Sequence, residues 1–359
     1  MDMGIFIPNG RNGYMISKAS PQFDATFDNN LEFISKCDDY GLEFALAMIK
    51  FRGFGGDTGF WNNCLEGFTL LSAVAARTKT VKLIASTGIL ALHPAMAARM
   101  TATIDSVAPG RIGVNIVTGW QPAEYDQMGV WPGDEYFGFR YDYASEYVQI
   151  MRDLWETGAC DLKGEHFTMK DCRLQPQPKG RIPIVAAGQS PRGMQFAAQY
   201  ADYNFTFSTG INTPTAFAPT NKRLMEATAE SGRDVGSYVL VMVVADETDA
   251  LAEAKWRKYV AQADDTALSW MAEQSGRDTK ADAAATVNTI NRPAGRVNMN
   301  MGTLVGSYET VAKMLDEVAS VPGTKGIMLA FDDFFIGMDQ FGQEIQPKMR
   351  CREARLEAA

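Results

Sequence analysis

Histidine is scarce in this chain: two in 359 residues, His93 and His166. Neither stands at a zinc-ligand spacing, which argues against metal-assisted hydrolysis. Cysteine is thin as well. The five cysteines (Cys37, Cys64, Cys160, Cys172 and Cys351) are odd in number and form no C-x-x-C pair. That excludes a disulfide framework and reads as the reduced thiols of a cytoplasmic protein. Long apolar runs are missing: the longest, Tyr238 to Ala245, falls far short of the roughly 20 residues a membrane helix needs. The chain starts Met3-Gly4-Ile5-Phe6-Ile7-Pro8 without a charged stretch leading an apolar signal core, so no export is expected. Positive charge is in deficit too. A net charge of −9 disfavours nucleic acid as a partner, because that affinity comes largely from Lys and Arg on phosphates. There is no G-x-S-x-G elbow and no G-x-x-x-x-G-K-[ST] loop. The turn Gly53-Phe54-Gly55-Gly56 misses the dinucleotide spacing and reads as a flexible loop.

What is present suits an ordinary globular enzyme. The apolar fraction is 46% and the charged fraction 21%, which fits neither a disordered nor a fibrous chain. Short apolar runs recur at Ile5–Pro8, Phe44–Ile49, Val81–Thr87, Ile112–Val117, Ile182–Ala186, Asn204–Phe207, Tyr238–Ala245 and Gly326–Phe331. Each is short enough for a buried strand and is bounded by turn residues. Helix-like stretches lie between them, including Leu65–Arg77, Met96–Val107, Tyr141–Trp155, Arg192–Tyr203, Ala250–Val260 and Tyr308–Val321. Alternation of this kind without a Rossmann fingerprint predicts an α/β fold, a (β/α)8 TIM barrel with loop insertions, over a doubly wound open sheet. No linker or repeat divides the chain, so one domain over 1–359 is expected.

Three segments exceed the minimal barrel. Gly119–Phe139, aromatic and rich in Gly, Pro and acids, reads as a long loop after the fourth strand. Asp161–Pro178 reads as a hairpin-like excursion before the fifth. Thr279–Arg296, rich in Ala, Thr and Asn, is either an active-site lid or a surface insert.

The residues able to carry chemistry sit at strand ends. Ala187-Gly188-Gln189-Ser190-Pro191-Arg192-Gly193 follows a strand and opens a helix, with Ser190 as the cap and Pro191 in the first turn. Such a terminus favours a phosphate, and it also serves as a plain cap. Arg140 and Tyr141 could add a bidentate cation and a hydroxyl. Asn115 is an amide inside an apolar strand, so it is either a structural tie or a ligand contact. Lys50 ends the second strand, where the residue type alone suggests a solvated lysine. Trp120, Tyr125, Trp131 and Phe137 could form a core or surround a planar ligand. Acids, bases and nucleophiles appear in no recognisable arrangement, as expected where a cofactor performs the hard chemistry.

At these residues the chain resembles the flavin-dependent monooxygenases of the bacterial luciferase type, and among them the branch that opens pyrimidine rings. The resemblance rests on Met48-Ile49-Lys50 with Arg52-Gly53-Phe54-Gly55-Gly56, Asn115 with Val117-Thr118-Gly119-Trp120-Gln121, and Arg140-Tyr141-Asp142-Tyr143. Ala187-Gly188-Gln189-Ser190, Asn212-Thr213-Pro214-Thr215-Ala216-Phe217-Ala218-Pro219 and Asn300-Met301-Gly302-Thr303-Leu304-Val305-Gly306-Ser307 extend it over nearly the whole chain.

The resemblance implies reduced FMN (FMNH2), delivered by a separate NADH-dependent flavin reductase, and O2 as co-substrate. It implies FMN contacts at Ile49, Lys50, Asn115, Glu124, Arg140, Tyr141 and Ser190. It also implies an oxygen-reactive pocket at Leu46, Asn115 and Val117 with the hydroxyl of Ser86, where threonine would be expected. Met48 and Trp120 are implied as walls for the planar substrate. The implied reaction opens uracil or thymine between N3 and C4 through a flavin N5-peroxide, giving a ureidoacrylate-type product. The same fold also serves sulfone, sulfonate and haloaromatic oxidation, and some members bind a flavin or deazaflavin without oxygenating anything. A homo-oligomer is expected by the same resemblance.

Overall fold

The computed structural model describes residues 1–290 and 297–356. Eleven strands occur among them: β1 Asp2–Ile7, β2 Phe44–Ala47, β3 Lys82–Gly88, β4 Ile112–Val117, β5 Ala159–Cys160, β6 Cys172–Arg173, β7 Ile184–Ala186, β8 Tyr203–Phe207, β9 Gly236–Asp246, β10 Thr303–Ser307 and β11 Thr324–Phe331. Eight of them close a parallel barrel in the order β1-β2-β3-β4-β7-β8-β9-β11, with β11 returning to β1. These eight are the predicted strands. Helices Phe27–Asp39, Gly67–Ala75, Pro94–Val107, Tyr136–Thr157, Pro191–Tyr200, Ala218–Ser231 and Asp249–Ala261 follow strands of the ring, as the βα alternation requires.

Strand β10 is an addition the pattern did not reveal. It pairs with Met242–Asp246 of β9, above the stretch Gly236–Leu240 that pairs with β8. β11 holds the other edge of β9 as far as Val243, and β10 takes the edge that β8 vacates. Gly302 makes the exchange possible: a Cβ there would lie 2.4 Å from the Ser208 hydroxyl.

Inward side chains recur with period two along each strand, and the lower end of the barrel is filled by rings. Phe44 stacks on Tyr238 with centroids 4.1 Å apart, and Tyr238 on Tyr203 at 4.0 Å. Gly4 and Gly326 clear the space: a Cβ at either would lie 2.5 Å from the Phe44 ring or 2.8 Å from that of Tyr238. One layer up lies Leu46, fully buried. The cavity opens above this floor, at the C-terminal ends of the strands.

Several boundaries depart from expectation. The second strand stops at Ala47 rather than Ile49, because the Asn9 side chain replaces the neighbouring strand. Its amide donates to Met48 O at 2.9 Å and accepts from Met48 N–H at 3.1 Å. The fourth helix-like stretch, Arg192–Tyr203, ends at Tyr200, before β8. Gly119–Phe139 is not one loop: it contains the short helix Pro122–Asp126, and the helix Tyr136–Thr157 begins within it. The excursion Asp161–Pro178 is a hairpin, with β5 antiparallel to β6 and a bridge between Lys163 and Thr168. In Thr279–Arg296, Thr286–Ile290 is helical, while 291–296 lie outside the described residues. All five cysteines are free. Among the described residues, no helix is long and apolar enough to cross a membrane.

Candidate active site

The cavity is walled by inward residues of the strand tops, Phe6, Met48, Ser86, Asn115, Val117 and Phe207 among them, and by the loops that follow. Of the residues singled out from the sequence, Met48, Ile49, Lys50, Ser86, Asn115, Val117, Trp120, Arg140, Tyr141 and Ser190 all border it. Two do not. Leu46 lies in the layer beneath Met48, and Glu124 stands behind Lys50.

Lys50 is not a solvated lysine. Its side chain is 3% exposed, and its ammonium lies 3.0 Å from Glu124 and donates to Gln121 Oε1 at 2.7 Å. The rings of Trp120, Phe54 and Trp61 surround it, with centroids 4.7, 5.0 and 5.4 Å away. A buried ammonium is tolerable only when so paired, and ring faces add further attraction. Glu124 is fixed in turn by accepting from Phe51 N–H at 2.8 Å. The cavity therefore has a buried but neutralised cation at one side.

The glycine turn is packed and hydrogen-bonded, with Phe54 N–H donating to Phe60 O at 2.8 Å. Gly55 and Phe60 bridge each other, and Phe54 and Phe60 are buried. Asp264 accepts from both the N–H and the hydroxyl of Thr58 at 2.7 and 2.8 Å. Burial alone would raise the Asp264 carboxyl, but these bonds and that from Ala267 N–H hold it below the usual carboxylate value. This tie delivers Trp61 to the cavity in a left-handed backbone conformation, φ +58°, uncommon for a bulky residue. Trp61 and Asn9 were missed from the sequence. The only local signal was the cluster of glycines around the tryptophan.

Asn115 and Ser86 face each other across β3 and β4, and the Asn115 amide donates to the Ser86 hydroxyl at 2.8 Å. The amide oxygen of Asn115 is buried with no protein partner among the described residues. Asn115 is thus a structural tie through its nitrogen and an open acceptor through its oxygen. Such an orphan is costly unless something else satisfies it.

A second set of open groups gathers at the helix Pro191–Tyr200. Ser190 caps it, accepting from Gly193 N–H at 3.2 Å. Gly188 and Gly193 pack backbone to backbone: a Cβ on Gly188 would lie 2.6 Å from the Tyr141 hydroxyl and 3.0 Å from Gly193 Cα. Arg140 pairs with Asp278 at 3.1 Å, yet its Nε is buried without a partner. A cation, a hydroxyl and a helix N-terminus thus border one cavity, an arrangement suited to an anion.

Neither histidine borders the cavity. His93 caps the helix Pro94–Val107, and His166 stacks on Phe139. No group of His, Cys, Asp or Glu suited to a metal occurs among the described residues. The carboxylates nearest the site, Glu124 and Asp278, are both engaged in ion pairs.

A parallel barrel with its cavity at the strand tops and open anion-binding groups on the cavity wall defines the class. Residues 1–325 match the family described as Luciferase-like monooxygenase, and the chain belongs to that family. The chain is 58% identical over 356 residues to the pyrimidine monooxygenase RutA of a Bradyrhizobium species, covering 99% of each chain. With RutA of Klebsiella variicola it shares 57% identity, over 98% of this chain and 97% of the relative. Among solved structures, riboflavin lyase RcaE with modified FMN and riboflavin superimposes with a TM-score of 0.82 at 18% identity, over 100% of this chain and 92% of that one. That last likeness is one of fold.

Proposed function

We propose that the protein is an FMN-dependent pyrimidine monooxygenase that opens uracil or thymine between N3 and C4 to a ureidoacrylate-type product. The observation that carries the reading is the full-length 58% identity to a pyrimidine monooxygenase. The open groups of the cavity fit the cofactor. Ser190, Arg140 and Tyr141, with the glycine pair behind them, would hold the phosphate of FMN. Ile49, Lys50 with its counter-ion Glu124, and Asn115 would line the ring system. The bound reduced flavin supplies the electrons that activate O2, and a separate NADH-dependent reductase provides it.

The chain's own residues supply position and dryness. Asn115 and Ser86 offer fixed dipoles where charge develops on oxygen, and Val117, with Leu46 beneath, keeps water away. Met48 and Trp120 form walls against which a planar pyrimidine can lie. Ala285, Thr286, Val287 and Ile290 border the cavity from the segment after Asp278, so we read 279–290 as part of a lid that closes over bound ligands.

The test is turnover of uracil with FMN, NADH and a flavin reductase, with the product identified by mass. A uracil-dependent product heavier by one oxygen and two hydrogens, with the added oxygen derived from labelled O2, is expected. Flavin-dependent oxygen consumption unchanged by uracil or thymine would overturn the reading.

A further inference from the structure

Gln189 is 4% exposed and borders the cavity between Gly188 and Ser190. Its side-chain oxygen accepts from Phe207 N–H at 2.6 Å. That bond fixes the amide's orientation, since a backbone N–H can only donate. It also replaces strand pairing: β7 ends at Ala186, and its pairing with β8 extends only to Asn204. The Nε2 group is left with no acceptor among the described residues. The nearby carbonyls of Ala186 and Gly188 are met by the Asn204 amide, at 2.9 and 3.2 Å in the orientation that satisfies its neighbours.

The cavity wall therefore carries two anchored amides of opposite polarity. Asn115 is held by its nitrogen and presents an orphan oxygen, whereas Gln189 is held by its oxygen and presents a free N–H2. An anchored amide is preorganised, so a ligand that meets it does not bear the cost of ordering it. An acceptor and a donor on one cavity wall suit a heterocycle that carries both carbonyl and N–H groups. The dione ring of a flavin and a pyrimidine dione each carry both.

We propose that Gln189 is a ligand-binding residue that donates Nε2–H to a ring carbonyl of the heterocycle in this cavity, deepening the function proposed above. The choice between flavin carbonyl and substrate carbonyl is left to two arms of one experiment. Gln189→Glu keeps an acceptor for Phe207 N–H and removes the donor; Gln189→Met removes both. Each variant is examined for thermal midpoint, for anaerobic binding of reduced FMN and of oxidised FMN with its absorption spectrum, and for uracil KM and kcat at saturating flavin.

A flavin contact raises the FMN Kd of both variants roughly tenfold and shifts the bound-flavin spectrum, with uracil KM unchanged. A substrate contact leaves FMN binding and the spectrum alone and raises uracil KM by a similar factor. Gln189→Glu matching the parent in both arms, at an unchanged midpoint, would falsify the proposal. If the parent protein does not turn over uracil, the functional reading fails separately. The flavin arm then decides alone: weaker FMN binding supports the contact, and unaltered binding overturns it.

Discussion

Asp278 holds the guanidinium of Arg140 at 3.1 Å, with the aspartate side chain 5% exposed and the arginine 11%. The carboxylate thus stands where it competes with any phosphate that Arg140 would bind. Asp278→Asn removes the competing charge and is expected to tighten FMN roughly threefold or more. Riboflavin, which lacks the phosphate, should bind as before. Arg140→Ala should weaken FMN and spare riboflavin. Parallel titrations of the two flavins check both statements.

Removing one member of a buried ion pair strands the other. Glu124→Ala leaves the Lys50 ammonium facing only Gln121 and three aromatic rings, and should cost about 3–5 kcal/mol. Chemical denaturation measures it. A loss below about 1 kcal/mol, the scale of an exposed pair, would show that water reaches the site.

The Asn115–Ser86 contact makes opposite predictions for two substitutions. Ser86→Ala leaves the Asn115 amide unpaired and should cost about 1–3 kcal/mol. Ser86→Thr keeps the hydroxyl and should hold coupling near the parent level. Asn115→Ala should divert oxygen consumption from product to hydrogen peroxide. The ratio of peroxide to product is the measurement.

Asp264 carries an acid dependence. Its folded carboxyl lies below the ordinary 3.8, so the ionised form contributes stability that is present above that value. The contribution is lost as pH falls through the depressed folded value. The unfolding free energies of the parent and of Asp264→Asn should therefore differ above about pH 4 and draw together below it. Denaturation midpoints between pH 2 and pH 7 test the convergence.

Lys280 lies in the segment that leads to the cavity-lining Thr286–Ile290, and offers a tryptic site. If the segment closes over ligand, flavin and uracil together should slow cleavage there. Equal cleavage rates with and without ligands would count against a lid.

The barrel was legible because its signal is periodic: eight apolar runs separated by helices require no knowledge of distant contacts. Ser190 was legible because capping chemistry is local, and Arg140 and Tyr141 because their residue types suit an anion; only their meeting with Ser190 at one cavity needed the fold. What stayed hidden depends on partners far along the chain. Strand β10 is short and borrows an edge of β9 that only the fold exposes. Lys50 looks solvated until Glu124 and Gln121 reach it from more than seventy residues away. Asn9 drew no reading at all, although it stands in for a strand beside Met48. Gln189 stood within the phosphate-candidate stretch without a role of its own, because nothing local says that its oxygen meets Phe207.

The stacked rings of Phe44, Tyr238 and Tyr203 give the barrel the character of a cup rather than a pipe. Whatever settles against the inner walls enters from the rim and leaves by it. The rim is thus the way in and the way out for every ligand of this cavity, so groups placed on the strand-top loops govern both entry and exit.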